Sequence, residues 1–384
     1  MSKYLIKMQP LDTFFFGQES KYRKRKGQNT PEADYFQRSA YFPQQTTLLG
    51  ALRYCLLQMN GQIPINDEVT AIRLIGEQSF GISDKLLKFG ALANLSSLFI
   101  LDVHGKAYFR NPKDIILKKD KVSGQFKTEY LQRTLVNLNS STGDCLYFPN
   151  YNEKDGLDEF LIHNEEDFLP INYHKDDTAN GVFVKHEKVG ITKKKDGESD
   201  EEGFYKQISW SLSEGFSFAM FAEIVDDDLK QTQIITSMGA EKSPFQFTFH
   251  NLDALQDDSP EWLISMVNPG KVDEPINLKN ESAPKLVLLS DAYLPNYNQD
   301  DFQFAISDTK TFRFIQSVVK TGNKYYSSNP LEKKELKRSC KYNLLESGSV
   351  FFFKDETQMD DFAKQLKAQT NFYNIGYNHF LTIK

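Results

Sequence analysis

The sequence predicts an α+β chain of two ferredoxin-like domains, and three observations predict it. Aromatic residues are abundant, with 31 Phe and 18 Tyr, and they gather in short runs between turn residues, as strands of a packed sheet require. Only a few stretches space their apolar residues for a helix face. In the second half, strand and helix signals follow the order β-α-β, insertion, β-α-β, which is the split ferredoxin-like pattern. The first half holds a looser copy. The expected domains are 1–212, carrying a basic loop and a long β-hairpin, and 213–384, carrying an insertion.

Taken in order, Ser2 to Met8 alternates and reads as a strand. Pro10, the triplet Phe14, Phe15 and Phe16, and Gly17 follow. A basic run comes next: Lys21, Arg23, Lys24, Arg25 and Lys26, interrupted only by Tyr22. Thr46 or Thr47 is the expected N-cap of a helix. Its apolar face carries Leu48, Leu49, Leu52, Cys55, Leu56 and Met59, with Arg53 pointing off that face, and Asn60-Gly61 and Pro64 stop it. A second helix starts near Asp67. Ser97 to Val103 and Lys106 to Arg110 read as a hairpin, with His104 and Gly105 in its turn. Asp114 to Leu138 is mixed, and Phe160 to Pro170 and Lys175 to Asn180 read as surface segments.

Val182 to Thr192 and Phe204 to Leu212 form the arms of a long hairpin with a charged end. Isolated hairpins are weak, so it must lie on a sheet or order on a partner. Phe216 to Val225 reads as a strand, and Asp227 or Asp228 to Met238 as a short helix. After a turn at 239–244, strands are expected at Phe245 to Phe249, Lys285 to Tyr293, Thr311 to Val319 and Ser349 to Phe353. Thr357 to Ala368 is amphipathic, with Met359, Phe362, Ala363 and Leu366 on one side. Phe372 to Ile383 closes as a strand carrying Gly376-Tyr377-Asn378.

The chain of 384 residues has a net charge of −6, which argues against a general nucleic-acid binder. The charge is unevenly placed, however. The first sixty residues are net basic, and acidic clusters stand at Asp226–Asp228, Asp257-Asp258 and Asp300-Asp301. A local basic surface can hold a polyanion on an acidic molecule. No apolar run has membrane-helix length, and no signal-peptide pattern opens the chain. A cytoplasmic location is expected, with Cys55, Cys145 and Cys340 as reduced thiols.

No P-loop, GxGxxG, HExxH or GxSxG is present. The histidines have no metal-ligand spacing, so neither metal nor cofactor is expected. The affirmative signal is cation, aromatic and turn glycine together. Strand, charged loop and helix N-terminus across Met8 to Arg53 bring cations and unpaired amides to one place, which suits a phosphate-rich ligand. Arg23, Lys24, Arg25, Lys26, Arg38, Gln44, Thr46, Thr47, Arg53, Lys188, Lys193, Lys194, Lys195 and Lys242 are the candidate backbone contacts. Tyr22, Tyr205 and Tyr377 are candidates for stacking on bases, with Gly376 and Asn378 beside Tyr377. His186, near Lys188 and with Tyr205 on the facing arm, belongs to the RNA-contact set. In the alternative reading it is the acid–base group of a metal-independent guide-processing endoribonuclease. A protein-only scaffold is the third class.

The order of motifs resembles the RAMP superfamily of CRISPR proteins, and more narrowly the third-named subunit of Cmr-type (type III-B) effector complexes. Pro10-Leu11-Asp12 with Phe14 to Gly17 resembles the family's PLD-x-x-FF opening. Phe42-Pro43 with Thr46 to Arg53 resembles its FPPPSTLAGALR helix start. Val189-Gly190-Ile191 with Gly203-Phe204-Tyr205 resembles its hairpin, and Gly239 with Glu241 its glycine turn. Glu346 to Phe352 resembles its AGSVYFF strand, and Gly376-Tyr377-Asn378 its terminal turn. The departures are Gln44-Gln45 in place of prolines and GAEKS at the glycine turn, where Lys242 is the nearest cation.

The resemblance implies two RRM-like domains and a non-catalytic antiviral role. It implies a subunit that grips the crRNA 5′ handle between the large polymerase-like subunit and the first backbone subunit, touching target RNA only indirectly. A related type III-A subunit is the nearby alternative.

Overall fold

The computed structural model describes residues 1–17, 35–83, 85–120, 123, 125–132, 134–137, 144–147, 159–171, 181–193, 199–225, 229, 232–239, 241–255, 278, 284–321, 324–327 and 335–384. Its centre is the strand Ser2–Pro10. That strand pairs antiparallel with Ser217–Ile224 on one side and Ser243–Asn251 on the other, in registers that set Ile6 opposite Met220 and Phe249. Strand side chains alternate between faces. Tyr4, Ile6 and Met8 therefore enter one core and Leu5 another.

The sheet extends through Phe99–Leu101, Ala107–Arg110, Phe160–Asn164 and Asp167–Pro170 at one end, and through Gln233–Met238 at the other. The expected hairpin around Gly105 is thus in place. The expected division at residue 212 runs between strands of this one sheet.

The helix Gln45–Met59 covers the Ile6 face and buries Leu48, Leu49, Leu52, Cys55, Leu56 and Met59. Each such side chain contributes on the order of 1.5–3 kcal/mol when fully withdrawn from water. Asp67 caps the next helix, Glu68–Ile75, by accepting from Val69 N at 3.1 Å.

A second sheet packs on the Leu5 face. Its order is Phe304–Ile306, Val350–Phe352, Lys285–Leu288, Phe380–Ile383, antiparallel throughout. Val287, Val350, Phe352 and Leu381 meet Leu5, Phe99, Phe109 and Ala219. Leu286, Leu288 and Phe351 point the other way, onto Met359, Phe362, Ala363 and Leu366 of the helix Glu356–Ala368. The layers run helix, sheet, sheet, helix. One buried ion pair ties them: Lys285 Nζ lies 2.7 Å from Asp114 Oδ2, with the two side chains 4% and 5% exposed.

Several expectations are corrected. Gln233–Met238 is a strand and not a helix; Ile234, Thr236 and Met238 are buried while the residues between them are exposed, which is a period of two. Phe160–Asn164 is interior and not a surface segment, because it pairs with Ala107–Arg110 and buries Phe160, Leu161 and Ile162. Thr311 to Val319 divides into Thr309–Phe312 and Ile315–Thr321. Before the last strand the chain turns helically at Thr370–Tyr373, and the strand begins only at Phe380. Asp114 to Leu138 includes the hairpin Ile115–Lys119 with Phe126–Tyr130. Lys175 to Asn180 lies outside the described residues. No helix among the described residues is long and apolar enough to cross a membrane.

Candidate nucleic-acid interface

The Phe triplet is core. Phe14 packs its ring against Phe16 and Phe218 at centroid distances of 5.0 and 5.5 Å, and Phe16 N donates to Ser39 Oγ at 2.8 Å. Tyr22, Arg23, Lys24, Arg25 and Lys26 lie outside the described residues. The chain re-enters as the short strand Tyr35–Arg38, parallel to Tyr205–Ile208 of the long hairpin. The hairpin therefore lies in a three-stranded sheet, and its base is anchored by buried Phe183, Ile208 and Trp210.

Arg38 emerges where these elements meet. Its guanidinium lies over the rings of Tyr41 and Trp210, at 5.6 and 5.5 Å, and donates to Tyr41 Oη at 2.8 Å. Trp210 is itself fixed by donating Nε1–H to Ser39 O at 2.9 Å. Arg38 faces a cleft of about 250 Å³ between the two sheets. Arg110, at the end of its strand, stands over Phe42 at 5.4 Å and lines the same cleft. Neither arginine pairs with a carboxylate among the described residues. Across the cleft, Lys310 is ion-paired with Asp291, and Glu346 is half-buried with Lys113 Nζ 3.8 Å away. Two guanidinium planes backed by rings can hold phosphates and accept a stacked base.

The helix start differs from the expectation. Gln44 is the N-cap and its side chain makes no cap bond; Thr46 and Thr47 stand in the first turn, with Thr47 N donating to Gln44 O at 2.9 Å. Thr46 Oγ1 lies 3.5 Å from the Gln44 carboxamide oxygen. The first-turn amides do not open onto a ligand, because the fully buried Tyr377 sets its hydroxyl against Gln45 and Thr46. That hydroxyl makes no hydrogen bond of normal geometry, and burial raises its pKa well above the usual range.

Tyr377 is therefore a core residue between Phe312 and Phe372 and not a base-stacking one. Asn378, also fully buried, is a brace. It accepts from Tyr293 N at 2.7 Å and donates to Tyr293 O and Leu366 O. Gly376 has φ +92°, and a Cβ there would lie 2.2 Å from Ser96 O. Tyr377 and Asn378 are thus corrected to docking residues of the C-terminal turn, with Gly376 packed against Ser96 beside them.

Arg53 is likewise corrected. Its guanidinium turns inward, donates to Gln78 O at 2.8 Å and lies 5.2 Å over the Phe89 ring. Burial pushes its pKa down to about 10.

Along the hairpin, His186 Nε2 is 2.9 Å from Ser211 Oγ, Lys188 is exposed, and Tyr205 pairs in register with Gly190. Lys185 and Lys206 grip Glu187 and hold its carboxyl down at about 2. Lys193 closes the paired part of the arm opposite Ser199; Lys194 and Lys195 lie outside the described residues. Lys242 is exposed in its turn at φ 52°. The described residues hold no His, Cys, Asp and Glu group fit for a metal ion. Sequence reasoning missed Arg110, Lys310 and Glu346. Glu346 opens the stretch likened to the family's AGSVYFF strand, but nothing local marks it, Arg110 or Lys310 as cleft residues, since each is brought there by a different strand or turn.

A family model described as CRISPR-associated protein (Cas_Cmr3) matches residues 6–384. Among solved structures, the chain is similar to a chain of the type III-B Cmr-beta bound to cognate target RNA, at 14% identity and a TM-score of 0.44, covering 99% of this chain and 96% of that one. A second similar chain, from Cmr-beta bound to target RNA and AMPPnP, gives 14% identity, a TM-score of 0.45 and the same coverage. No curated protein matches the sequence.

Proposed function

The chain belongs to the CRISPR-associated Cmr3 family, and from that premise we propose that it is a non-catalytic, RNA-gripping subunit of a type III-B Cmr effector. In this reading it caps the crRNA 5′ handle and bridges the large polymerase-like subunit to the first backbone subunit, in the cytoplasm. The observation that carries the RNA-gripping part is the cleft where Arg38 and Arg110 stand on aromatic rings, unmatched by any carboxylate among the described residues. In the same reading, the basic stretch Arg23 to Lys26, ahead of Arg38 in the sequence, and Lys188, His186, Tyr205 and Lys193 to Lys195 of the hairpin sequence add further RNA contacts.

Two ferredoxin-like units fit the topology. Ranked by chain order, the second sheet's strands run 2-3-1-4, equivalent to the 4-1-3-2 order of a β-α-β-β-α-β unit, with the helix Glu356–Ala368 as its second crossover. The first crossover holds only the short helical turn Gln299–Asp301. A division after residue 255 keeps each sheet whole, where one at 212 does not.

The test is equilibrium binding of single-stranded handle RNA across a salt series. Replacing Arg38 and Arg110 together with Gln lowers affinity and flattens the log–log salt slope by about 1.4, at about 0.7 for each phosphate of a single strand that is no longer neutralised. Unchanged affinity and slope at every salt concentration refute the assignment. Neutralising Arg23, Lys24, Arg25 and Lys26 tests the loop in the same way.

A further inference from the structure

Three carboxylates line the cleft, and they are not equivalent; Glu159 is exposed. Asp291 is fully engaged: one oxygen pairs with Lys310 and the other accepts from Ser347 N at 3.1 Å. Glu346 is not. Its one cation neighbour among the described residues, Lys113, lies 3.8 Å away, and that ammonium is already ion-paired with Asp308. No hydrogen bond to the Glu346 carboxylate is made among the described residues.

Its backbone, by contrast, is held at every point. Glu346 N donates to Asp308 O at 2.9 Å, and Glu346 O accepts from Ser349 Oγ at 2.6 Å. The following turn is pinned by Gly348, at φ +83°, where a Cβ would lie 2.5 Å from Asn111 O. A fixed, half-buried carboxylate with unused acceptor positions thus shares a cleft with two ring-backed arginines.

We propose that this cleft selects one unpaired guanine base, with Glu346 accepting from its Watson–Crick edge; the proposal rests on the RNA-binding reading above. Guanine is the base whose Watson–Crick edge sets two donors side by side, N1–H and the N2 amino group, to match the two oxygens of a carboxylate. Adenine and cytosine each set a ring acceptor beside their amino group, and uracil flanks its single N–H with carbonyls. Each of these would turn a lone pair toward Glu346, and a buried mismatch of that kind is strongly disfavoured. The Ser347 hydroxyl, beside Glu346 in the cleft, is a donor available to guanine O6. The guanidinium planes of Arg38 and Arg110 supply the stacking surface and the phosphate contact.

The full chain, titrated by fluorescence anisotropy, tests this with three labelled octamers: all adenosine, one central guanosine, and one central inosine, which lacks the N2 amino group. A good bidentate pair discriminates by about 1–3 kcal/mol. The guanosine octamer is therefore expected to bind about ten-fold tighter than the adenosine one, and inosine to lose most of that advantage. In Glu346→Gln the guanosine-to-adenosine ratio falls close to one. Equal binding of the three octamers to the unmodified chain overturns the base selectivity and leaves the RNA-gripping reading standing. A preference that persists in Glu346→Gln overturns the role of Glu346. Binding of no octamer overturns both readings. The inosine comparison needs no variant, so base selectivity stays decidable even where Glu346→Gln folds poorly.

Discussion

Replacing Lys285 with Met strands a charge in the interior. Lys285 Nζ meets Asp114 Oδ2 at 2.7 Å, with both side chains almost without solvent, and the ammonium also lies 4.4 Å over the Tyr130 ring. Asp114 Oδ1 has no hydrogen-bond partner among the described residues, so after the substitution the carboxylate is buried without its cation. Removing one partner of such a pair costs about 3–5 kcal/mol, whereas replacing both with apolar residues is close to neutral. Lys285→Met and Asp114→Leu are each expected to lose about 3–5 kcal/mol, and the double variant to lie within about 2 kcal/mol of the parent. Urea unfolding of the four proteins, followed by far-UV circular dichroism, reads the cycle. Additive losses in the double variant refute the reasoning, since they would mean that the two charges act independently and do not compensate each other across the layers.

Three further outcomes are expected. Gly376→Ala puts a methyl 2.2 Å from Ser96 O at a positive φ; neither backbone can yield cheaply, so a loss of about 3 kcal/mol or more is expected in thermal unfolding. Tyr377→Phe removes a buried hydroxyl that makes no normal hydrogen bond, so stability stays within about 1 kcal/mol and handle-RNA affinity is unchanged; a ten-fold affinity loss with the fold intact would return Tyr377 to the interface. His379 is half-buried, stacked on Tyr373, and desolvation lowers its pKa to about 4 from 6.5. Its depressed folded pKa gives a stabilising contribution that is whole above about pH 6.5 and lost as pH falls toward 4, on the order of 3 kcal/mol. His379→Phe should show a correspondingly shallower loss of melting temperature between pH 7 and pH 4.5, and parallel curves would remove His379 from the account.

The sequence by itself determined what neighbouring residues can encode. Alternation and helical spacing placed the first strand, the helix after Pro43, the helix Glu356–Ala368 and both arms of the long hairpin, because those periods are properties of the local chain. The same local reading misassigned Gln233–Met238, where acidic residues upstream suggested a helix start and only the pairing with Ser243–Asn251 made a strand. Its candidate polyanion stretch, Met8 to Arg53, includes Arg38, one of the two arginines that line the cleft.

What only the tertiary structure decided is which polar groups are already taken. Tyr377 and Arg53 carry groups suited to binding RNA, yet one closes the helix start from the far end of the chain and the other is turned into a loop. Arg110 and Glu346 look ordinary in sequence, yet more than two hundred residues of chain fold to set them in one cleft. Charge and shape belong to a side chain, but its availability belongs to its partners, and those are chosen by contacts that no local pattern records.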